Sequence, residues 1–130
     1  MINVVVGILH KQNRLFLQQR PLDKIHGMKW EFPGCKVHNG ESKKEALHRG
    51  LYKELGISVS NDDVKMYGCH VVKETLIPDY QIKISYYGVD KWENRLIPKN
   101  NQPYMGFYTS DDIKLLRTLE GVHWFVKNMW

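Results

Sequence analysis

The run INVVVGILH, residues 2–10, is dense in β-branched and aliphatic side chains. KQNR supplies a turn and LFLQQR resumes the apolar pattern, so the chain opens with a predicted hairpin. Pro21 closes the second strand, and LDKIHGMK, containing Gly27, reads as a polar loop. WEFPGCKV is a short strand broken by the turn dipeptide Pro33-Gly34. From Ser42 to Leu55 the period changes: Leu47, Leu51 and Leu55 recur every four residues, which predicts an amphipathic helix. Ser42, with Glu45 three residues on, predicts a capping box, and Gly56 followed by Ile57 predicts the stop. VKMYGCHVVKETLI and QIKISYYGVDKW flank Pro78-Asp79-Tyr80, predicting an antiparallel pair joined by a turn. YMGFYT is a further short strand, SDDIKLL opens on an N-cap signal, and TLEGVHWFVKNM is apolar at helical spacing. The order ββ, loop, β, helix, βββ, helix predicts an α+β fold, a mixed sheet with helices packed on it.

Composition adds bounds. At 130 residues the chain is one domain, 1–130, long enough for a hydrophobic core. Hydrophobic residues make 42% and charged residues 25%, values of a folded globular protein. No apolar run approaches the roughly 20 residues that span a bilayer, and MINVVVGILHKQNR lacks the basic start and cleavage site of a secretory signal. Cys35 and Cys69 have no metal-ligand spacing and make no disulfide framework, so a reducing cytoplasm is expected. The formal charge of +5 favours anionic ligands. The charges are scattered, without a basic stripe interleaved with aromatics, which places nucleic acid well below a small anion.

Residues 34–57, GCKVHNGESKKEALHRGLYKELGI, with WEFPG leading in and QQRP upstream, resemble the signature of the Nudix family of MutT-like pyrophosphohydrolases. That signature is G-x5-E-x7-R-E-U-x-E-E-x-G-U, with U aliphatic. The hairpin start and the late QP…DD tail extend the resemblance over nearly all of the chain. It implies a Nudix fold, a mixed β-sheet with an antiparallel part packed between helices in an α/β/α sandwich. It also implies Mg²⁺- or Mn²⁺-dependent hydrolysis of a nucleoside triphosphate, or another nucleoside diphosphate-linked substrate, to a nucleoside monophosphate and pyrophosphate.

Aligned without gaps, the signature departs at Cys35, Gly50 and Lys53, where it has Gly, Glu and Glu, and is kept at Glu41, Arg49, Glu54, Gly56 and Ile57. Mg²⁺ is a hard cation that takes carboxylate oxygens. Positions 50, 53 and 54 lie three and four residues apart and share one helix face. Three Glu there would carry a charge of −3, whereas Gly, Lys and Glu sum to zero. Gly50 also costs the helix about 1 kcal/mol relative to Ala.

The resemblance therefore implies a pared site. Glu54, Glu41 and Arg49 are its catalytic candidates, Arg49 having lost its Glu neighbour and having Glu45, four residues back, as an alternative partner. Glu54 and the Cys35 backbone carbonyl are the metal candidates. Arg20 and Lys36 match phosphate contacts, and with Lys53 they are expected to hold a di- or triphosphate with little or no Mg²⁺. Val6 and Phe32 match apolar walls; Ile77, Tyr80 and Arg117 match the base-reading positions, and Tyr80 and Trp30 are candidates to stack a base. The late strand's family Glu falls near Met105. Three readings follow in order: a nucleotide or phosphate-ligand binder with lost or weak catalysis, an active Mg²⁺-dependent hydrolase using acids such as Glu74 or Asp79, and an interaction module. A Gly50→Glu, Lys53→Glu double variant is the direct repair.

Overall fold

The computed structural model describes residues 1–73 and 80–130. The predicted turn residues Pro78 and Asp79, the base-reading candidate Ile77 and the reserve acid Glu74 lie outside the described residues. The hairpin forms as expected: β1 (Ile2–Lys11) turns through Gln12 and Asn13, both at positive φ, into β2 (Arg14–Gln19). The broken strand WEFPGCKV becomes two strands, β3 (Trp30–Glu31) and β4 (Gly34–Lys36). These join different partners, β3 to β2 and β4 to β1.

Helix α1 (Lys43–Leu55) carries both reciprocal bonds of the capping box. Gly56 ends it in the left-handed region at φ 72°, donating its N–H to the Tyr52 carbonyl, a conformation that favours glycine. After a 3₁₀ turn at Asn61–Asp63, β5 (Val64–Lys73) and β6 (Gln81–Val89) pair antiparallel, with a register shift between Met66 and Gly68. Strand β7 (Met105–Tyr108) pairs with β2. The helices α2 (Ser110–Ile113) and α3 (Glu120–Asn128) follow. The cap of α2 is Thr109, whose hydroxyl accepts from the Asp112 N–H, one residue earlier than SDDIKLL suggests.

The sheet order is β3-β2-β1-β6-β5, with β4 on β1 and β7 on β2. The β1–β6 pairing is parallel and all the others are antiparallel, so the sheet is mixed. Alternation along β1 sends Val5 and Leu9 to one face and Val6 and Ile8 to the other. The first face packs on Leu47, Leu51 and Leu55 of α1; the second packs on Val122 and Phe125 of α3. Two helical layers thus sandwich the sheet, which is the Nudix architecture expected above. Among the described residues no helix is long and apolar enough to cross a membrane.

Candidate active site

Strand β1 gives one edge first to β4, through Val4, Val5 and Val6, and then to β2, through His10 and Lys11. The Gly7 N–H bridges the gap by donating to the Pro33 carbonyl at 2.8 Å. Gly34 permits the close approach, since a Cβ there would run into the Val5 carbonyl oxygen. This split brings β2, β3, β4 and the buried face of α1 together around two adjoining cavities.

The first cavity, about 360 Å³, is walled by Val4, Val6, Phe32, Ile82, Ile84 and Val122, with Ile25, His26, Tyr80 and Leu119 at its margin. The second, about 400 Å³, is lined by Arg20, Lys24, Lys36, Arg49, Lys53 and Asn100, with Gly50, Glu31 and Glu54. Arg20, Glu31, Gly34, Cys35 and Lys36 border both. An apolar slot therefore opens into a cationic cleft.

Two carboxylates line the cationic cleft, Glu31, which borders the slot as well, and Glu54. Glu54 Oε1 accepts the Gly34 N–H at 2.9 Å and its Oε2 accepts the Gln18 amide at 3.3 Å. The same Gln18 Nε2 donates to Glu31 at 3.2 Å, and Arg20 pairs with Glu31 at 2.7 Å. Gln18 is buried, and its oxygen accepts from Gln102, which also donates to the Glu54 backbone carbonyl. Burial pushes the Glu54 carboxyl up to about 7, and the negative charge of Glu31 adds to the effect. Burial also raises Glu31, against the opposing pull of Arg20.

Other expected residues fall differently. Arg49 does not pair with Glu45, whose carboxylate is occupied by the Ser42 N–H in the capping box. Arg49 instead grips Glu41 with two bonds at 2.8 and 2.9 Å and donates to the Lys36 carbonyl at 2.8 Å, tying the loop before α1 to the helix. The Arg49 guanidinium, helped by the His38 N–H, holds the Glu41 carboxyl down at about 2. Glu41 is not among the residues lining either cavity. The Cys35 thiol donates to the Ala46 carbonyl at 3.1 Å, and burial raises its pKa. It fills the space over Gly50: a Cβ added at Gly50 would stand 2.7 Å from Cys35 Sγ.

Phe32, Val6 and Tyr80 border the apolar cavity. Arg117 is exposed and borders neither cavity; its carbonyl accepts from the Trp30 N–H, and Leu119 supplies the margin instead. The Trp30 ring packs edge-on against Tyr108 at 5.4 Å and lines neither cavity. Met105 packs on the α1-side core and brings no carboxylate.

Sequence reasoning misses Glu31, Gln18, Gln102 and Lys24. The available signal was Glu31 inside WEFPG; its role depends on the Gln18–Glu31 strand register and on α1 packing above it.

As to the divalent ion that the signature implies, no three His, Cys, Asp or Glu side chains gather into a possible metal group among the described residues. Glu31 and Glu54 are two adjacent oxygen donors already engaged by Arg20, Gln18 and the Gly34 N–H. Such a set fits Mg²⁺ that arrives with phosphate oxygens and water, since Mg²⁺ is often held by one or two carboxylates plus substrate.

A relative from Proteus vulgaris described as an 8-oxo-dGTP diphosphatase is 33% identical over 106 residues, covering 81% of this chain and 90% of its own length. One of the same description from Escherichia coli K12 is 30% identical over 103 residues, covering 78% and 76%. The crystal structure of a MutT NUDIX hydrolase from Burkholderia pseudomallei matches with a TM-score of 0.88 over 99% of this chain and 98% of that one, at 14% identity, a likeness of fold. The NUDIX domain profile matches residues 4–116, and with these relatives it establishes that the chain belongs to the Nudix family.

Proposed function

We propose that this Nudix domain binds a nucleoside di- or triphosphate, or a similar phosphorylated small molecule, and hydrolyses it weakly or not at all. The observation that carries the reading is the content of the cationic cleft. Arg20 is matched by Glu31 and Arg49 by Glu41, which leaves Lys24, Lys36 and Lys53 without an ion pair among the described residues. Three ammonium groups over one cleft attract a polyphosphate through charge alone. The adjoining apolar slot is of a size to take a base or another flat apolar group.

Hydrolysis of a pyrophosphate link needs the developing phosphate charge neutralised and a water positioned. Where family Glu residues would stand, Gly50 offers nothing and Lys53 repels a cation. Magnesium, when bound, would be held by Glu54 and Glu31 and would neutralise phosphate charge. The remaining contribution comes from the lysines, which hold the phosphates without activating water. Losing preorganised groups of this kind removes several kcal/mol of transition-state stabilisation.

The test is thermal stabilisation by the four dNTPs, 8-oxo-dGTP and inorganic pyrophosphate, each with Mg²⁺ and with EDTA, alongside product release. The expected result is stabilisation that survives EDTA, with little product. Magnesium-dependent turnover in the usual enzymic range, about 1–10³ s⁻¹, refutes the loss of catalysis. No stabilisation by any of these ligands refutes the binding.

A second reading, residual Mg²⁺-dependent pyrophosphohydrolysis of a substrate such as the 8-oxo-dGTP named for the relatives, is favoured by Glu54. Glu54 lies beside Glu31 through the shared Gln18 amide, and the two carboxylates are oxygen donors for the ion at the phosphate cleft. Slow, Mg²⁺-dependent release of pyrophosphate that disappears in Glu54→Gln would support it.

A further inference from the structure

The loop between β2 and β3 touches both cavities with consecutive residues. Lys24 lines the cationic cleft, while Ile25 and His26 line the apolar slot. Successive Cα atoms are about 3.8 Å apart, so the step from one cavity to the other is a single residue long.

The loop is held in shape. The Lys24 N–H donates to the Pro21 carbonyl at 3.2 Å, the Gly27 N–H to Lys24 at 2.9 Å, and the Met28 N–H to Arg20 at 2.9 Å. His26 and Met28 stand at φ 58° and 69°, left-handed conformations that non-glycine residues keep only where their surroundings enforce them. Arg20 is the brace: its Nε donates to the Ile25 carbonyl at 2.8 Å while its Nη1 pairs with Glu31 at 2.7 Å. Ile25 is nevertheless 48% exposed at the mouth of the slot, leaving apolar surface for a ligand to cover. Lys24 is exposed and makes no ion pair among the described residues.

We infer that Lys24 and Ile25 form a two-ended clamp for a bipartite ligand, Lys24 taking the phosphate chain and Ile25 covering the apolar group joined to it. Arg20 acts as a positioning residue that sets the loop, not as a phosphate contact. The clamp rests on the reading that this chain binds a phosphorylated small molecule, and it adds which loop recognises that molecule and how its two halves are read together.

Titration calorimetry in EDTA, with inorganic tripolyphosphate and with the tightest-binding of the four dNTPs, separates the halves. Lys24→Ala should weaken both probes by a similar factor, about tenfold for one charge-assisted contact. Ile25→Ala should weaken the dNTP several-fold, on the order of one or two buried methylenes, and leave tripolyphosphate unchanged. Arg20→Lys keeps the charge but cannot serve Ile25 and Glu31 together. It should lower the thermal midpoint and weaken both probes.

The clamp is overturned if Lys24→Ala leaves tripolyphosphate affinity intact, or if Ile25→Ala weakens both probes alike. Arg20→Lys that weakens tripolyphosphate with an unmoved midpoint overturns the brace. An unaltered chain that binds neither probe overturns the underlying reading as well, whereas a chain that binds both without this split overturns the clamp alone.

Discussion

Replacing Gly50 with Ala in the middle of α1 ought to help the helix, because Ala is favoured over Gly by about 1 kcal/mol at such a position. The surroundings predict the opposite sign. The new methyl would lie 2.7 Å from Cys35 Sγ and 3.2 Å from Cys35 Cβ. Carbon contacts settle at about 3.5–4.0 Å, so the overlap with sulfur is roughly 1 Å. Cys35 has one rotatable side-chain bond, and swinging it away breaks its contact to the Ala46 carbonyl, worth about 1 kcal/mol. Overpacking of this kind costs about 1–3 kcal/mol, so Gly50→Ala should be net destabilising by about 0–2 kcal/mol.

In a Cys35→Gly background both contacts are gone and the same substitution should stabilise by up to about 1 kcal/mol. Urea unfolding of the four proteins of this cycle measures the coupling directly, and any cost of glycine in β4 cancels within it. A coupling of about 1–3 kcal/mol is expected. Gly50→Ala that stabilises by about 1 kcal/mol in both backgrounds refutes the reasoning. One consequence is practical: Gly50→Glu with Lys53→Glu is not a clean repair of the signature, because Cys35 occupies the entry of the new side chain, and Cys35→Gly has to accompany it.

Other outcomes follow from the buried polar groups and the cap. The folded Glu54 carboxyl titrates at about 7, above its unfolded value of 4.5, so folding retains a proton that the unfolded chain has released between those pH values. Stability should therefore fall from about pH 4.5 to 7 by an amount of the order of 3 kcal/mol, and Glu54→Gln should flatten urea midpoints measured from pH 5 to 8. Glu41 works in the opposite sense, its stabilising bonds to Arg49 being present above pH 4.5 and lost as pH falls through about 2, which acid titration of Arg49→Ala beside the native chain will show. Gln18→Leu removes a buried amide that serves Glu31, Glu54 and Gln102 at once, and should cost roughly 3 kcal/mol in denaturant unfolding. Ser42→Ala removes one half of the capping box and should cost about 1 kcal/mol in the same measurement.

The parts of this fold that are legible in sequence are those whose signals are local. Ser42, Glu45 and Gly56 bound α1 by bonds to residues three and four positions away, and the period of Leu47, Leu51 and Leu55 assigns its buried face. Arg49 shows where local logic stops. Glu45 is at the right spacing, but the Ser42 N–H already claims it, so the guanidinium reaches across to Glu41. Glu31 stands in the WEFPG string, but its role is hidden for a different reason: nothing in that string indicates that Gln18 stands opposite on β2, or that α1 lowers Glu54 onto the same amide. The contact between Cys35 and Gly50 joins two departures from the family signature that look independent in the sequence and are one steric fact in the fold.

The parallel pairing of β1 with β6 sets an order of assembly. The lysines of the cationic cleft all lie between residues 24 and 53, and α1 can begin to form from its own cap. The apolar slot needs Ile82 and Ile84 from β6 and Val122 from α3, and β6 reaches β1 only by closing a loop of some seventy residues or more. On a chain made from its N-terminus, the slot is the last part of the site to exist. A ligand that spans both cavities therefore finds no complete site on the growing chain, and can only lower the free energy of the finished domain, by an amount set by its concentration relative to Kd.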